Sequence, residues 1–241
     1  MHSNRYTLLY AAGISVITAV ILAIASEGLR PAQEANIALD KKSNILRSVR
    51  MSSTDRKTIE STYSEKVRDM VVNSSGEELP DVDAGKVNLK NEIVKAPAER
   101  LLPLYIYSGE SGKIYYIIPV RGVGLWGPIW GYISLENDFN TVYGAFFDHK
   151  GETPGLGAEI AESAFQKQFE GKKIMSEEGQ FVCVRVVKKT DKFALGDAHR
   201  VDGVSGGTIT SNGTDAMLKN CIEPYLAYFE KLKSNAGQTD R

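Results

Sequence analysis

The stretch Asp202-Gly-Val-Ser-Gly-Gly-Thr-Ile-Thr-Ser-Asn-Gly213 leads directly into a carboxy-terminal segment with the pattern of an amphipathic helix. Adjacent glycines let the backbone adopt positive φ and approach a ligand closely. A helix amino terminus, with its free N–H groups and positive dipole end, is an anion-binding site. On these grounds alone the stretch is either a phosphate-binding loop or an ordinary capped turn. The candidate N-caps are Ser211, Asn212 and Thr214, and further hydroxyl donors are Ser205, Thr208 and Thr210.

The helix that follows is predicted from about Thr214 to Lys233. Its apolar residues recur at three-and-four spacing, which makes a stripe that must pack against another element. Pro224 lies inside the pattern and predicts a kink or a break. The stripe consists of Met217, Leu218, Cys221, Ile222, Tyr225, Leu226 and Phe229.

Short runs rich in aromatic and β-branched residues precede this helix and are typical of strands. A second helix is expected to start near Pro154 or Gly157, with an apolar face. Together these elements predict an α+β domain, in which an antiparallel sheet carries flanking helices on one side. The strand runs are Leu104 to Tyr107, Ile114 to Val120, Trp130 to Leu135, Thr141 to Phe147 and Phe181 to Val187.

A second glycine-containing turn, His149-Lys-Gly-Glu-Thr-Pro-Gly-Leu-Gly-Ala-Glu159, also connects a predicted strand to a predicted helix. Either turn alone would be an ordinary connection, but two in one small domain suggest that both converge on one ligand. A third run, Gly122 to Gly131, contains Trp126 and Trp130. It is either flat apolar surface for a planar ring or a bulged hairpin with core tryptophans.

The amino terminus carries 21 uncharged residues between Arg5 and Glu27. As a helix they reach about 31 Å, which matches a hydrocarbon core of about 30 Å. We expect a retained anchor, with a signal peptide cleaved after Ala25 as the alternative. The predicted organisation is a transmembrane anchor over 1–28, a helical stalk over 29–85, the main domain over 86–234 and a disordered tail over 235–241.

Charge and ligand counts argue against several functions. The 29 basic and 30 acidic residues nearly cancel, so bulk electrostatics suggest no nucleic-acid partner. Cys183 and Cys221 are too few for an iron–sulfur cluster held by this chain alone and are expected to be core thiols. The three histidines lack ligand spacing, so no metal site is expected.

Two motifs resemble a known family. The pattern Asp202-x-x-Ser-Gly-x-Thr208 resembles the flavinylation motif of FMN-binding domains, and His149-x-x-Glu-Thr-Pro-Gly-Leu-Gly157 resembles their companion motif. The segment Leu29 to Leu46 is similar to the C subunits of the sodium-translocating NADH:quinone oxidoreductases. The resemblance covers the anchor, the stalk and the domain.

The resemblance implies specific roles. Thr208 would carry FMN through a covalent phosphoester, and Asp202 would serve recognition by the modifying enzyme or hold the loop. The family usually has alanine where this chain has Gly207, so a looser loop is expected. The resemblance further implies that Ser205, Gly206 and Gly207 shape the loop and that Glu152, Thr153, Leu156 and Gly157 line the flavin. Thr210 and Trp126 are added to the predicted cofactor-binding residues because of the loop hydroxyl of the first and the flat apolar surface of the second.

The implied function is electron relay in an NADH:ubiquinone reductase that exports sodium, with no stand-alone catalytic site in this chain. The expected partners are the other subunits, the membrane and a flavin transferase that uses FAD. The expected location is the bacterial inner (cell) membrane, single-pass, with a periplasmic domain; positive charges on both sides of the anchor leave orientation open. The alternatives are the homologous G subunit of a ferredoxin:NAD oxidoreductase complex and a non-redox anchored interaction module.

Overall fold

The computed structural model describes residues 3–239 and divides into two compact units between Lys42 and Ser43. From Asn4 to Lys42 the first unit is part of helix α1, Asn4–Ser48, whose apolar part has the length and composition to cross a membrane. A signal sequence would pass the same test. The predicted anchor is therefore helical from Asn4 onwards, and residues 1 and 2 lie outside the described part.

The second unit is built on a five-stranded antiparallel sheet in which neighbours in sequence are neighbours in space. A separate parallel pair joins two short strands nearer the carboxy terminus. The sheet strands are β1 Val67–Val72, β2 Leu102–Ser108, β3 Ile114–Val123, β4 Pro128–Leu135 and β5 Val142–His149, and the parallel pair is β6 Arg185–Val187 with β7 Arg200–Asp202.

Helices connect and cover these strands. In sequence, the longer helices come before β1 and after β7, and the short helices lie in the connections between strands. They are α2 Arg56–Lys66, α3 Leu89–Glu92, α4 Ser163–Gln166, α5 Thr208–Ile222 and α6 Leu226–Thr239, with 3₁₀ turns at Pro97–Glu99, Glu110–Gly112, Gly157–Ala161, Lys167–Phe169, Asp197–His199 and Glu223–Tyr225.

One face of the sheet packs against α5. Met217, Leu218 and Ile222 are almost completely buried and belong to the same core as the inward side chains of β3 and β4. Full burial of one such side chain stabilises the fold by about 1.5–3 kcal/mol. The amphipathic pattern of the last helix is thus accounted for, and it fixes the start of α5 against the sheet.

The opposite face is covered as well, by the end of α1 and by α2. Ile45, Leu46 and Ile59 are buried, and the Ser134 hydroxyl on β4 donates to the carbonyl oxygen of Ser48 at 2.7 Å. The prediction of helices on one side only was therefore wrong. The apolar residues of the predicted stalk include the groups that cover this second face.

The predicted stalk over 29–85 is not one helical element. Its residues from Ser43 onwards belong to the second unit, and the helical prediction was wrong for β1. There Met70, Val71 and Val72 are buried and pair with β2. As an edge strand the segment buries these apolar side chains, and its backbone N–H and C=O groups form hydrogen bonds with β2.

Four of the five predicted strands are confirmed as β2 to β5 with somewhat longer bounds. The run Phe181 to Val187 is a strand only over β6, because Cys183 has φ of 60°, which is incompatible with extended backbone. The predicted break at Pro224 is confirmed by the 3₁₀ turn Glu223–Tyr225. Helix α6 continues through residues 235–239 of the predicted tail, and residues 240 and 241 lie outside the described part.

Candidate functional site

The site is built around the first turn of α5, which begins at Thr208. The predicted N-caps were wrong: Gly207 occupies this position and no side chain caps the helix. Ser211 lies inside the helix, where its hydroxyl accepts from the Val204 N–H at 2.9 Å. Thr214 likewise lies inside and donates to the Thr210 carbonyl at 2.9 Å, and Asn212 is exposed.

The opening turn leaves backbone donors unused. The first intrahelical bond runs from the Ser211 N–H to the Gly207 carbonyl at 2.8 Å. Among the described residues, the N–H groups of Thr208, Ile209 and Thr210 have no acceptor. Gly206, with φ of 75°, turns the chain two residues before Thr208, whose side chain is exposed. A free helix terminus of this kind binds an anionic group.

Glu152 links the three segments that the sequence singled out. This buried carboxylate accepts from the Trp126 backbone N–H at 2.8 Å through Oε1. Through Oε2 it accepts from the Thr210 hydroxyl at 2.6 Å. Its own N–H donates to Nδ1 of His149 at 3.1 Å. The loop after β3, the loop after β5 and the first turn of α5 therefore meet at one side chain.

Close backbone packing supports the same junction. A Cβ on Gly157 would lie 2.4 Å from Glu152 Oε2 and 2.5 Å from Thr210 Oγ1, so only glycine fits there. A Cβ on Gly207 would lie 3.3 Å from the Gly157 nitrogen, and one on Gly206 would meet the Leu156 side chain at 2.6 Å. The two glycine-containing turns are thus in direct contact, and their convergence on one ligand stays a prediction.

Other predicted residues lie at the margin. Thr153 is exposed, and its carbonyl accepts from Leu156 and Ala158. Asp202 has its carboxylate 3.0 Å from the Arg200 guanidinium, and its N–H donates to Gln168 at 2.8 Å. Asp202 therefore holds the end of β7 in place. The Trp126 side chain is 68% exposed, so the interpretation of this residue as a core tryptophan was wrong.

A pocket of about 260 Å³ opens beside Thr208. Most residues that line this pocket were not among the predicted site residues. The available signal was Lys188-Lys189-Thr190, a positively charged segment that directly follows a predicted strand. The two lysines bring positive charge to the pocket that the loop Ser205 to Thr208 borders. The lining residues include Val187, Lys188, Lys189, Thr190, Gly203, Ser205, Thr208 and Asn212.

The wall that carries these lysines is fixed to α5 by an ion pair. Arg185 on β6 contacts both carboxylate oxygens of Asp215, at 2.8 and 2.9 Å. The Val186 N–H donates to the same carboxylate at 2.8 Å. This side-chain hydrogen bond to Asp215 raises the pKa of Arg185. The pocket wall is therefore tied to α5 by three hydrogen bonds to Asp215.

Exposed apolar side chains lie at the end of β3, on the loops after β3 and β5 and on the first turn of α5. Exposed apolar side chains mark a contact surface when they form one contiguous patch. A planar ring held at Thr208 could pack against them. These side chains are Val123, Leu125, Trp126, Leu156 and Ile209, with exposed fractions of 67%, 50%, 68%, 43% and 57%.

Over residues 3–239, no group of histidine, cysteine, aspartate or glutamate side chains could hold a metal ion. Cys183 and Cys221 are both buried free thiols. Burial raises the pKa of the Cys183 thiol to about 12, so this group stays protonated at neutral pH.

Comparison with known proteins assigns this geometry to a family. The family model of the FMN-binding domain matches residues 124–223, which include every predicted site residue. The C subunit of the Na(+)-translocating NADH-quinone reductase of Neisseria meningitidis serogroup B is 33% identical, over 96% of this chain and 95% of the relative. The chain belongs to this C-subunit family, NqrC. As a member of this family, the chain is an electron-carrying subunit of a sodium-translocating NADH-quinone reductase, and it is a flavoprotein.

Solved structures of NqrC proteins have the same fold. The crystal structure from Parabacteroides distasonis has 42% sequence identity and a TM-score of 0.75, covering 83% of this chain and 96% of that one. The structure from Shewanella oneidensis has 26% identity and a TM-score of 0.67, covering 81% and 97%. The NqrC match extends over the amino-terminal region as well as the FMN-binding domain, which favours this family over the alternatives in the sequence analysis.

Proposed function

We propose that this protein carries FMN through a phosphoester bond to Thr208 and relays electrons within its complex by means of that flavin. One observation carries the proposal: the Thr208 side chain is exposed at the first residue of α5, where neighbouring backbone N–H groups have no acceptor in the described part of the chain. Esterification places a phosphodiester at such a terminus, and the helix dipole stabilises its negative charge by about 0.3–1 kcal/mol.

The residues present fit an FMN. The Ser205 to Thr208 loop and the two lysines of the adjoining pocket offer donors and positive charge to the phosphate and ribityl groups. The exposed Trp126 and Leu156 side chains offer apolar surface to the ring. Bound FMN supplies the electron-transfer chemistry, and the protein supplies position and electrostatics.

Glu152 serves as a positioning residue in this proposal. Both of its oxygens already accept hydrogen bonds, and the residue is only 5% exposed. It therefore acts on the flavin by holding the Trp126 loop and the start of α5 at a fixed separation. The predicted direct contact of Glu152 with the flavin remains a prediction.

Formation of the bond requires a second protein, a flavin transferase with FAD as donor. The Thr208 Oγ would form a bond to the FMN phosphorus of FAD, the P–O bond to AMP would break, and AMP would leave with the hydroxyl proton. The exposure of Thr208 suits access by such an enzyme. Asp202 stabilises the end of β7 immediately before the loop, which would present the loop in one conformation.

We further propose that α1 anchors the protein in the bacterial inner membrane with the second unit on the periplasmic side. The apolar segment of α1 is long enough to span a bilayer. A covalent link also removes the dissociation equilibrium by which free flavin would diffuse away from an exported domain. The other subunits of the reductase are the expected partners.

The test is in-gel flavin fluorescence of the full-length chain, produced with a flavin transferase and an export-competent anchor. The wild-type band should fluoresce under ultraviolet light after denaturation, and Thr208→Ala should be dark. Thr54→Ala is the matched control, because it removes an exposed threonine hydroxyl outside the loop and its pocket and should leave the band bright.

A bright Thr208→Ala band would place the flavin elsewhere and contradict the proposal. A dark wild-type band, obtained while a known substrate of the same transferase is labelled, would favour the non-redox interaction module. Copurification separates the remaining alternative, because the ferredoxin:NAD oxidoreductase complex has different partner subunits.

A further inference from the structure

A second concave site lies away from Thr208, between the end of α1 and the segment after β5. It has a volume of about 310 Å³, and we refer to it as the basic groove. Its lining includes three cationic side chains and one carboxylate, although the whole chain is nearly neutral. The groove is lined by Arg47, Arg50, Ser52, Gly144, Ala145, Ser163, Gln166, Lys167 and Glu170.

Arg50 is held in a conformation that favours glycine. It has φ of 62° and follows the end of α1, where the Met51 N–H donates back to the Leu46 carbonyl at 3.0 Å. Glycine is the usual residue at this position because a side chain there is sterically costly. The Arg50 side chain itself is held by the protein, because its guanidinium donates to the Tyr143 carbonyl and pairs with the Glu170 carboxylate.

Both arginines are oriented by aromatic rings. The Arg50 guanidinium carbon lies 4.2 Å from the ring centroid of Tyr143, and that of Arg47 lies 4.4 Å from the centroid of Phe146. Arg50 also contacts the carboxylate of Glu170 at 3.1 Å. Within residues 3–239, neither Arg47 nor Lys167 has a carboxylate partner. Stacking orders the guanidinium planes before any ligand arrives, which lowers the entropic cost of binding.

Capping of α1 does not explain these charges. The Leu46 carbonyl accepts from Val49 and Met51, and the Ser48 carbonyl accepts from the Ser134 hydroxyl. The last turn is therefore satisfied by backbone and serine groups without the Arg47 side chain. Lys167 comes from a distant part of the chain and has no capping role at α1.

We propose that the basic groove binds an acidic loop of a neighbouring subunit, through carboxylates that pair with Arg47 and Lys167. The inference rests on the proposed function, because it requires assembly into the reductase complex. Charge complementarity selects the partner: planar, pre-oriented guanidinium groups match carboxylates, and Ser52, Ser163 and Gln166 add polar groups. Arginine next to aromatic residues is also characteristic of interface centres.

The test uses the membrane complex purified through a tag on this chain. NADH:quinone reductase activity retained on the column is measured against rising NaCl and divided by the amount of tagged chain, while the in-gel flavin signal is recorded separately. Arg47→Gln with Lys167→Gln should release half of the reductase at a several-fold lower NaCl concentration than wild type. Lys57→Gln with Lys231→Gln removes the same charge from exposed positions outside the groove and should release it as wild type does.

A gain-of-binding variant guards against misfolding as the cause. Glu170→Gln removes the one carboxylate of the groove, so it should shift release to higher NaCl. Identical release by wild type and both groove variants would overturn the inference while leaving the flavin assignment intact. Absence of reductase from the wild-type column would overturn complex membership and the groove's partner together. A dark flavin band with normal, groove-dependent retention would contradict only the Thr208 assignment.

The same oxyanion chemistry could recognise free phosphate. Thermal stabilisation of the detergent-solubilised chain by inorganic phosphate, compared with NaCl at equal ionic strength, distinguishes the two sources. Stabilisation that is lost in the double groove variant, together with unchanged reductase release, would assign the groove to a free anion and overturn the proposed partner.

Discussion

Replacement of Glu152 tests whether one buried carboxylate holds the site together. Glu152→Ala leaves the Trp126 N–H and the Thr210 hydroxyl without their acceptor. Glu152→Gln keeps an oxygen for the Trp126 N–H, and its amide can donate to Thr210, so both contacts persist without charge assistance. The two variants therefore separate loss of the junction from loss of its charge.

The structure sets the expected magnitudes. A hydrogen bond to a charged group contributes about 1.5–3 kcal/mol, and an unsatisfied buried donor costs about 1–3 kcal/mol. The Thr210 hydroxyl can turn to another acceptor, but the Trp126 N–H cannot. We expect Glu152→Ala to lower the free energy of unfolding by about 3–5 kcal/mol and Glu152→Gln by about 1–2 kcal/mol.

The assay is urea unfolding of the detergent-solubilised chain, followed by far-ultraviolet circular dichroism. A double-mutant cycle of Glu152→Ala with Thr210→Val, each of which removes the hydrogen bond between the two side chains, should give a coupling energy of about 1–2 kcal/mol. Glu162→Ala, which removes an exposed carboxylate from the same region, should change stability by less than about 0.5 kcal/mol. If Glu152→Ala unfolds like Glu162→Ala, or the cycle is additive, Glu152 does not join the two segments.

Two further predictions concern packing and thiol chemistry. Gly157→Ala should lower the free energy of unfolding by about 1–3 kcal/mol and reduce flavin incorporation, because the added Cβ would lie 2.4 Å from Glu152 Oε2; unchanged stability and labelling would show that the junction adapts freely. Cys183, whose pKa burial raises to about 12, should resist iodoacetamide at pH 8 and react only after urea is added. Its contribution to stability should be fully present below the pKa of the unfolded thiol, near 8.5, and decline as pH rises towards 12; rapid alkylation of the folded protein would contradict the burial.

Local sequence rules found the loop but misplaced the helix it opens. The pattern of Gly206 before Thr208 identifies a turn with positive φ, and the structure has one there. The N-cap rule pointed to Ser211 and Thr214 because it weighs side-chain oxygens. In the folded chain those hydroxyls bond to Val204 and Thr210 instead. The amino terminus of α5 has no side-chain cap, and its free N–H groups are what an anion would bind. No local sequence pattern indicates that a helix terminus is uncapped.

Long-range contacts explain the larger errors. Glu152 and Thr210 are 58 positions apart in sequence, so no local pattern could show that they form one junction. The charged residues Arg68 and Asp69 made the β1 segment look like part of a charged helix. The segment is an edge strand, and the buried side chains of Val71 and Val72 hold it against the core. The alternating pattern of Phe181 to Val187 predicted one strand, but the left-handed backbone of Cys183 interrupts it. Tertiary packing overrode local preference in each case.

The most direct test of the central proposal is intact-mass analysis of the natively expressed chain, followed by fragmentation of the peptide that contains Thr208. We predict a mass increase equal to FMN less one water, located on Thr208 and absent from Thr208→Ala. An unmodified mass for the native chain, or FMN located on any other residue, would contradict the account.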